Sequence, residues 1–130
     1  MIKKDKEPPF QEKRRFKRIK KNFILTYFEL EHPKRKYEIS QLKNISMGGM
    51  CFITTKQYEA HTKLGIELKT PYLSGTTYLE GRVLQSHAKV VKMIFETRLQ
   101  FDALTKDAEF LLTELIEYFL NDQGITYEQD

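Results

Sequence analysis

Apolar residues recur in six short, mostly alternating stretches between residues 22 and 101, and this pattern is the strongest constraint on the fold. Side chains of a β-strand point alternately to its two faces, so such a stretch predicts a strand with a buried face. Turn-forming residues such as Pro33, Pro71 and Gly75 lie between the stretches. The pattern therefore predicts an antiparallel barrel or sandwich. Its six strands cover residues 22–31, 36–43, 50–54, 64–69, 78–87 and 93–101, the fifth with a bend at Gly81.

The end of the chain changes to a helical period. Asp107 and Glu109 suit the first turn of a helix, whose N-terminus favours negative charge. Apolar residues at helical spacing then predict a core-facing stripe, made of Ala108, Leu111, Leu112, Leu115 and Phe119.

Four further residues of this predicted helix are also apolar: Phe110, Ile116, Tyr118 and Leu120. They either form an exposed surface that binds a partner or are covered by the open end of the barrel, and the sequence leaves both readings open. Residues 105–130 contain one lysine against seven carboxylates, a net charge of −6. A partner at such a surface is therefore expected to be basic around an apolar centre.

Positive charge is concentrated at the start of the chain. Residues 1–21 contain ten Lys/Arg against three Asp/Glu and carry a net charge of +7, whereas the whole chain carries +4. A basic arm on a mildly acidic body predicts an anionic partner, and phosphate, nucleic acid and anionic lipid all qualify.

The side-chain clusters and segments that other classes of protein require are missing from the sequence. No apolar run approaches the roughly 18 to 20 residues of a membrane span, and the start lacks a signal peptide, so a cytoplasmic protein is predicted. Cys51 is single, which excludes a disulfide framework. His32, His61 and His87 are too far apart to suggest a metal site, and carboxylates are expected mainly on exposed faces. With no nucleophile motif or phosphate-binding loop either, we predict a binding module and not an enzyme.

Residues 44–49, Asn-Ile-Ser-Met-Gly-Gly, connect the second and third predicted strands. Asn44 and Ser46 are two residues apart, so they point to the same side if the extended backbone continues that far. Glycine allows the backbone to approach a ligand closely. Upstream, Arg14 and Arg18 are spaced four residues apart in the basic arm.

R-x-x-x-R at residues 14–18 and N-x-S-x-x-G at residues 44–49, in this order on a six-strand pattern, resemble the PilZ domain, the bacterial receptor module for cyclic di-GMP. The resemblance covers residues 13–101. It implies a mainly β fold, a six-stranded antiparallel PilZ-like β-barrel with a C-terminal α-helix. It also implies that the ligand is cyclic di-GMP, and no metal or other cofactor is predicted.

The resemblance also assigns roles to individual residues. Arg14 and Arg18 would bind the ligand, since guanidinium groups bind phosphate bidentately, pair with the guanine O6 and N7 and stack on bases. Asn44 and Ser46 would contact guanine and phosphate, and Gly49 would let the turn close under the ligand.

Two departures from the family pattern concern Arg98 and Asn44. Arg98 stands where the family commonly has glycine, which leaves the ligand stoichiometry open. Asn44 stands where aspartate is commoner. Arg15 and Arg98 are further candidates for ligand contact.

The predicted organisation is a disordered basic arm (1–12), a PilZ-like barrel (13–104), a helix (105–121) and a flexible tail (122–130). The predicted function is a stand-alone cyclic di-GMP effector that signals through ligand-dependent contacts with another protein, through the C-terminal helix or by forming a homodimer. Two alternatives are a PilZ-like adaptor that no longer binds nucleotide and a small basic nucleic-acid-binding protein.

Overall fold

The computed structural model describes residues 16–19, 23–69, 76–89, 93–121 and 125–127. Within these residues the chain forms nine β-strands and one α-helix. The helix, α1 (Lys106–Asn121), lies between the last two strands in the chain. The strands are β1 (Lys17–Ile19), β2 (Ile24–Glu29), β3 (Tyr37–Ile39), β4 (Gln41–Ile45), β5 (Gly49–Thr54), β6 (Lys63–Lys69), β7 (Thr77–Ala88), β8 (Phe95–Phe101) and β9 (Ile125–Tyr127).

The described strands form one antiparallel sheet in the order β3-β2-β6-β7-β8-β5-β4-β1-β9. β3 and β4 are separated in the chain only by Ser40, yet β3 pairs with β2 and β4 pairs with β5. In the sheet, β3 and β4 are the first and last of seven neighbouring strands, yet the chain joins them directly. The sheet therefore curls into a nearly closed barrel of seven strands, β2 to β8. β1 and β9 extend the sheet beyond β4.

The predicted mainly β fold with a C-terminal helix is confirmed, but the predicted count of six strands is wrong. The second predicted strand, residues 36–43, is divided at Ser40 into β3 and β4, which gives the barrel seven strands. β1 and β9 were not predicted, because three residues are too few to show an alternating pattern. β9 lies inside the segment for which a flexible tail is predicted, and the predicted arm, residues 1–12, lies outside the described residues.

Inward-facing side chains of the strands and the apolar stripe of α1 form one hydrophobic core. All five residues predicted for that stripe, from Ala108 to Phe119, are buried in it. Thr105 caps the helix, since its Oγ1 accepts a hydrogen bond from the Ala108 N–H at 3.1 Å. Among the described residues, no helix has the length and apolar character that crossing a bilayer requires.

The four additional apolar residues of α1 divide into two groups. Ile116 and Tyr118 are partly buried and pack against the core, and the Tyr118 ring meets the Phe23 ring edge-on at 4.8 Å. Phe110 and Leu120 are 55% and 71% exposed. The barrel therefore covers one pair and leaves the other in solvent.

Candidate functional site

The turn between β4 and β5 contains several of the predicted site residues. Ile45 is buried at the end of β4, so Asn44 and Ser46 on either side of it are exposed. The Ser46 N–H donates to the Gly49 carbonyl at 2.8 Å, and Ser46 Oγ accepts a hydrogen bond from the Gly48 N–H at 3.2 Å. The Gly48 carbonyl accepts a hydrogen bond from the Phe101 N–H at 2.8 Å, which fixes the turn against the end of β8.

A β-bulge immediately before this turn determines where Asn44 points. Leu42 pairs with Phe52, but Asn44 pairs with Cys51, so Lys43 is an extra residue on β4 without an opposite residue on β5. Regular alternation would place Asn44 on the same face as the buried Leu42. The extra residue instead turns both Lys43 and Asn44 outward.

Asn44, Ser46, Gly49 and Arg98 line one surface cavity of about 210 Å³. Arg98 lies on β8 opposite Cys51 of β5, and its side chain is exposed. The structure thus brings together four of the seven predicted site residues, from β4, its turn, β5 and β8. The remaining lining residues are Gly48, Met50, Leu84, Leu99 and Gln100.

Leu84 reaches the cavity through a second bulge. The register of β7 against β8 shifts between Val83 and Gln85, so Leu84 is an extra residue on β7 and is exposed. Gly81, where a bend is predicted, pairs regularly with both neighbouring strands, and the register shift of β7 lies instead at Leu84. Sequence reasoning missed Leu84 as a site residue. Its only signal was the apolar pair Val83-Leu84, which interrupts the alternation.

The remaining predicted residues lie at or before β1. Arg14 and Arg15 lie outside the described residues. Arg18 lies on β1, where its backbone pairs with Gln41 of β4. Phe16, immediately before β1, is buried, and the centroid of its ring lies 5.3 Å from Lys89 Nζ.

A buried carboxylate lies two residues before Arg98 on the same strand. Glu96 is only 4% exposed and is an exception to the expectation that the carboxylates lie mainly on exposed faces. Its Oε2 accepts hydrogen bonds from Lys43 Nζ at 3.1 Å and from Cys51 Sγ at 3.4 Å. Its Oε1 lies 3.4 Å from Lys89 Nζ and 3.8 Å from His87 Nε2.

These contacts shift two pKa values in opposite directions. Burial would raise the pKa of Glu96, but the hydrogen bonds from Lys43 and Cys51 outweigh it and lower this pKa to about 2. Burial and the nearby Glu96 charge raise the pKa of Cys51 to about 11. Glu96 is therefore an ionised acceptor at neutral pH, and Cys51 is a neutral thiol that donates to it.

The chemistry of the cavity is that of a binding site for a polar ligand. Asn44 offers both donors and an acceptor, Ser46 a hydroxyl, and Arg98 a planar cation suited to phosphate or a guanine edge. Leu84 and Met50 add apolar surface. No group of three His, Cys, Asp or Glu side chains within the described ranges is placed to hold a metal ion.

The described strands thus form a small antiparallel β-barrel domain with a polar cavity beside a strand-connecting turn. The family model of the PilZ domain matches residues 12–118, which are most of the chain. The protein belongs to the PilZ domain family, a family of binding and adaptor domains that binds cyclic di-GMP.

Two solved structures share this fold. The Bacillus subtilis Inhibitor of motility (MotI/DgrA) superposes with a TM-score of 0.53 at 16% identity, over 83% of this chain and 52% of its own. MrkH of K. pneumonia in its apo state gives a TM-score of 0.52 at 15% identity, over 95% of this chain and 55% of its own. This chain therefore spans about half the length of each of them. Comparison with curated protein sequences gave no match.

Proposed function

We propose that this protein is a cytoplasmic receptor for cyclic di-GMP and that the ligand binds at the cavity lined by Asn44, Ser46, Gly49 and Arg98. One observation carries the proposal. On a PilZ barrel, four side chains or backbone positions from β4, its turn, β5 and β8 converge on one cavity.

Each group of the cavity has a matching group on the ligand. A guanine edge presents acceptors at O6 and N7, which suit Arg98 and the Asn44 amide. Ser46 Oγ accepts a hydrogen bond from Gly48, and its own proton is available to a phosphate oxygen. Leu84 offers an apolar contact to a base.

Arg14 and Arg18 would complete this site. A cavity of about 210 Å³ is smaller than the roughly 300 to 1,000 Å³ of most small-molecule pockets, so it holds only part of a dinucleotide. β1 pairs antiparallel with β4, the strand that contains Asn44, with Lys17 opposite Leu42 and Arg18 opposite Gln41. We infer that Arg14 and Arg18 bind the part of the ligand that the cavity leaves exposed.

Calorimetric titration with cyclic di-GMP tests the proposal. The parent protein is expected to bind cyclic di-GMP and to discriminate against cyclic di-AMP, which lacks the guanine O6. Arg35→Ala is the matched control for replacing the site arginines, since Arg35 is an exposed arginine in the β2–β3 connection. It is expected to bind cyclic di-GMP as the parent does. A folded parent protein that binds no cyclic di-GMP would overturn the proposal in favour of an adaptor that does not bind nucleotide.

The proposal includes a surface for a partner protein on α1, beside the β4–β5 turn. Thr113 Oγ1 lies 3.9 Å from Met47 Sδ, so the turn that carries Ser46 touches the helix. Phe110 precedes Thr113 by one helical turn and is exposed, as Met47 is. A ligand that contacts Ser46 therefore acts next to an exposed apolar patch.

The charge of α1 indicates the kind of partner. The helix contains one lysine against four carboxylates, Asp107, Glu109, Glu114 and Glu117. We infer that the partner is a protein segment with apolar side chains flanked by lysine or arginine. A homodimer through this face would bring two acidic helices together, which like-charge repulsion disfavours.

A further inference from the structure

The bulge at Lys43 is held by a carboxylate that does not reach the cavity. Glu96 is not among the residues lining the cavity, yet its Oε2 accepts hydrogen bonds from Lys43 and from Cys51. Lys43 precedes Asn44 in the chain, and Cys51 is the residue paired with Asn44 across the ladder. One buried oxygen atom therefore holds both the residue before Asn44 in the chain and the residue opposite Asn44 on β5.

This arrangement matters because the bulge decides which face Asn44 occupies. A one-residue change of register in a strand moves a side chain to the opposite face. Leu42 and Ile45 are buried on either side of the bulge, so Lys43 is the residue that absorbs the extra length. Its side chain is 26% exposed and is held to β8 through Glu96.

We propose that Lys43 and Glu96 are positioning residues for the ligand: their ion pair stabilises the bulge that directs the Asn44 amide into the cavity. The inference rests on the proposed function, since it assigns a role in binding cyclic di-GMP. Neither residue is required to touch the ligand.

An ordinary structural role is the competing explanation. An ion pair between neighbouring strands stabilises the barrel wherever it lies, and its loss could lower affinity merely by loosening the fold. The two roles differ in one respect. A positioning role requires Asn44 to be present, whereas general loosening weakens binding with or without the Asn44 amide.

A double-mutant cycle on the affinity for cyclic di-GMP separates them. Lys43→Met is preferred to Glu96→Gln because the Lys89 ammonium still neutralises the buried carboxylate. Lys43→Met is expected to raise Kd roughly tenfold in the parent and less than about twofold in the Asn44→Ala background. Lys43→Arg keeps the cation and is expected to restore the parent Kd.

Lys36→Met is the matched control. Lys36 also pairs with a glutamate of the barrel, Glu67 of β6, at 2.9 Å, but lies outside the cavity. It is expected to leave Kd unchanged.

Three results would overturn the inference: an unchanged Kd in Lys43→Met, an equal rise in Kd with and without Asn44, or no restoration by Lys43→Arg. In each case the parent still binds and the proposed function stands. If the parent itself does not bind cyclic di-GMP, the proposed function fails and the positioning role fails with it.

Discussion

Gly49 lies directly against the main-chain carbonyl of Leu99, so that a Cβ at position 49 would collide with that oxygen. The resemblance assigned Gly49 the role of letting the turn close under a ligand. The structure supplies a different reason for glycine here, which is the close approach of β5 to β8. The neighbouring Gly48 has no such constraint, because its Cβ would meet only Ser46 Oγ at an ordinary 3.8 Å.

Gly49→Ala is therefore expected to destabilise the protein by about 1 to 3 kcal/mol, the usual cost of forcing extra atoms into a packed site. Gly48→Ala is expected to change the free energy of unfolding by less than about 0.5 kcal/mol. Urea unfolding of the two variants measures both values. Equal stabilities would contradict the close approach of β5 and β8 at this point.

Arg14, Arg18 and Arg98 are each expected to contribute charge-assisted contacts to cyclic di-GMP. Such contacts are worth about 1.5 to 3 kcal/mol, so each arginine-to-alanine variant is expected to bind roughly ten- to a hundredfold more weakly. The melting temperature without ligand is expected to change little in Arg98→Ala, because the Arg98 side chain is exposed. Calorimetry measures the affinity for cyclic di-GMP, and thermal melts measure the melting temperature. Parent-like affinity in all three variants would refute the assignment of these arginines to the binding site.

Part of this site could be predicted from the sequence because its residues are neighbours in the chain. Asn44, Ser46 and Gly49 lie in or directly beside one turn, and the alternation on either side of it located that turn. The bulges at Lys43 and Leu84 could not be predicted in the same way, because a register shift is defined only against the partner strand. Arg98 entered the prediction only through the family pattern, since its proximity to Asn44 depends on the β4-β5-β8 order.

The burial of the charged residue Glu96 could not be predicted from the sequence either. A lone glutamate between Phe95 and Thr97 gave no sign of burial, because its cationic partners come from β4 and from the β7–β8 connection. The helix was easier to predict, since its buried stripe from Ala108 to Phe119 is encoded by spacing within one segment. Local periodicity was therefore sufficient for the helix, whereas long-range pairing determined the burial of Glu96.

The lowered pKa of Glu96 predicts a pH-dependent contribution to stability. Its pKa falls from 4.5 to about 2 on folding, so the contribution is fully present above about pH 4.5 and is lost as the pH falls towards 2. Its size is at most about 3 kcal/mol. Glu96→Gln is expected to be less stable than the parent at pH 7, and the difference is expected to narrow between pH 4.5 and 2.

Urea unfolding at a series of pH values checks this expectation. Glu67→Gln is the control, because Glu67 belongs to a more exposed ion pair with Lys36 that is worth less than about 1 kcal/mol. A constant difference between the parent and Glu96→Gln from pH 7 to 2 would show that the Glu96 charge does not stabilise the fold.

The exposed patch of α1 leads to a last prediction, which revises the sequence-based choice of residues. Ile116 was grouped with Leu120 as a candidate for the output surface, but Ile116 packs against the core. Phe110 and Leu120 share one exposed face with Thr113 and Glu117, at successive spacings of three, four and three residues. Phe110→Ser with Leu120→Ser is therefore expected to change stability by less than about 0.5 kcal/mol each. Ile116→Glu is expected to destabilise the protein by at least about 1 kcal/mol, because it buries part of a charge.

The same double variant tests the partner. A synthetic helical peptide in which leucine side chains are flanked by lysines is expected to bind the parent. Binding is expected to shift the amide resonances of Met47, Phe110 and Thr113. A peptide with glutamate in place of lysine is expected not to bind, since the helix is acidic.

Met93→Ser is the matched control, because Met93 is 75% exposed but lies in the β7–β8 connection. If Phe110→Ser with Leu120→Ser binds the lysine peptide as the parent does, or instead converts a dimer to a monomer in sedimentation, α1 is not the docking surface for a basic partner.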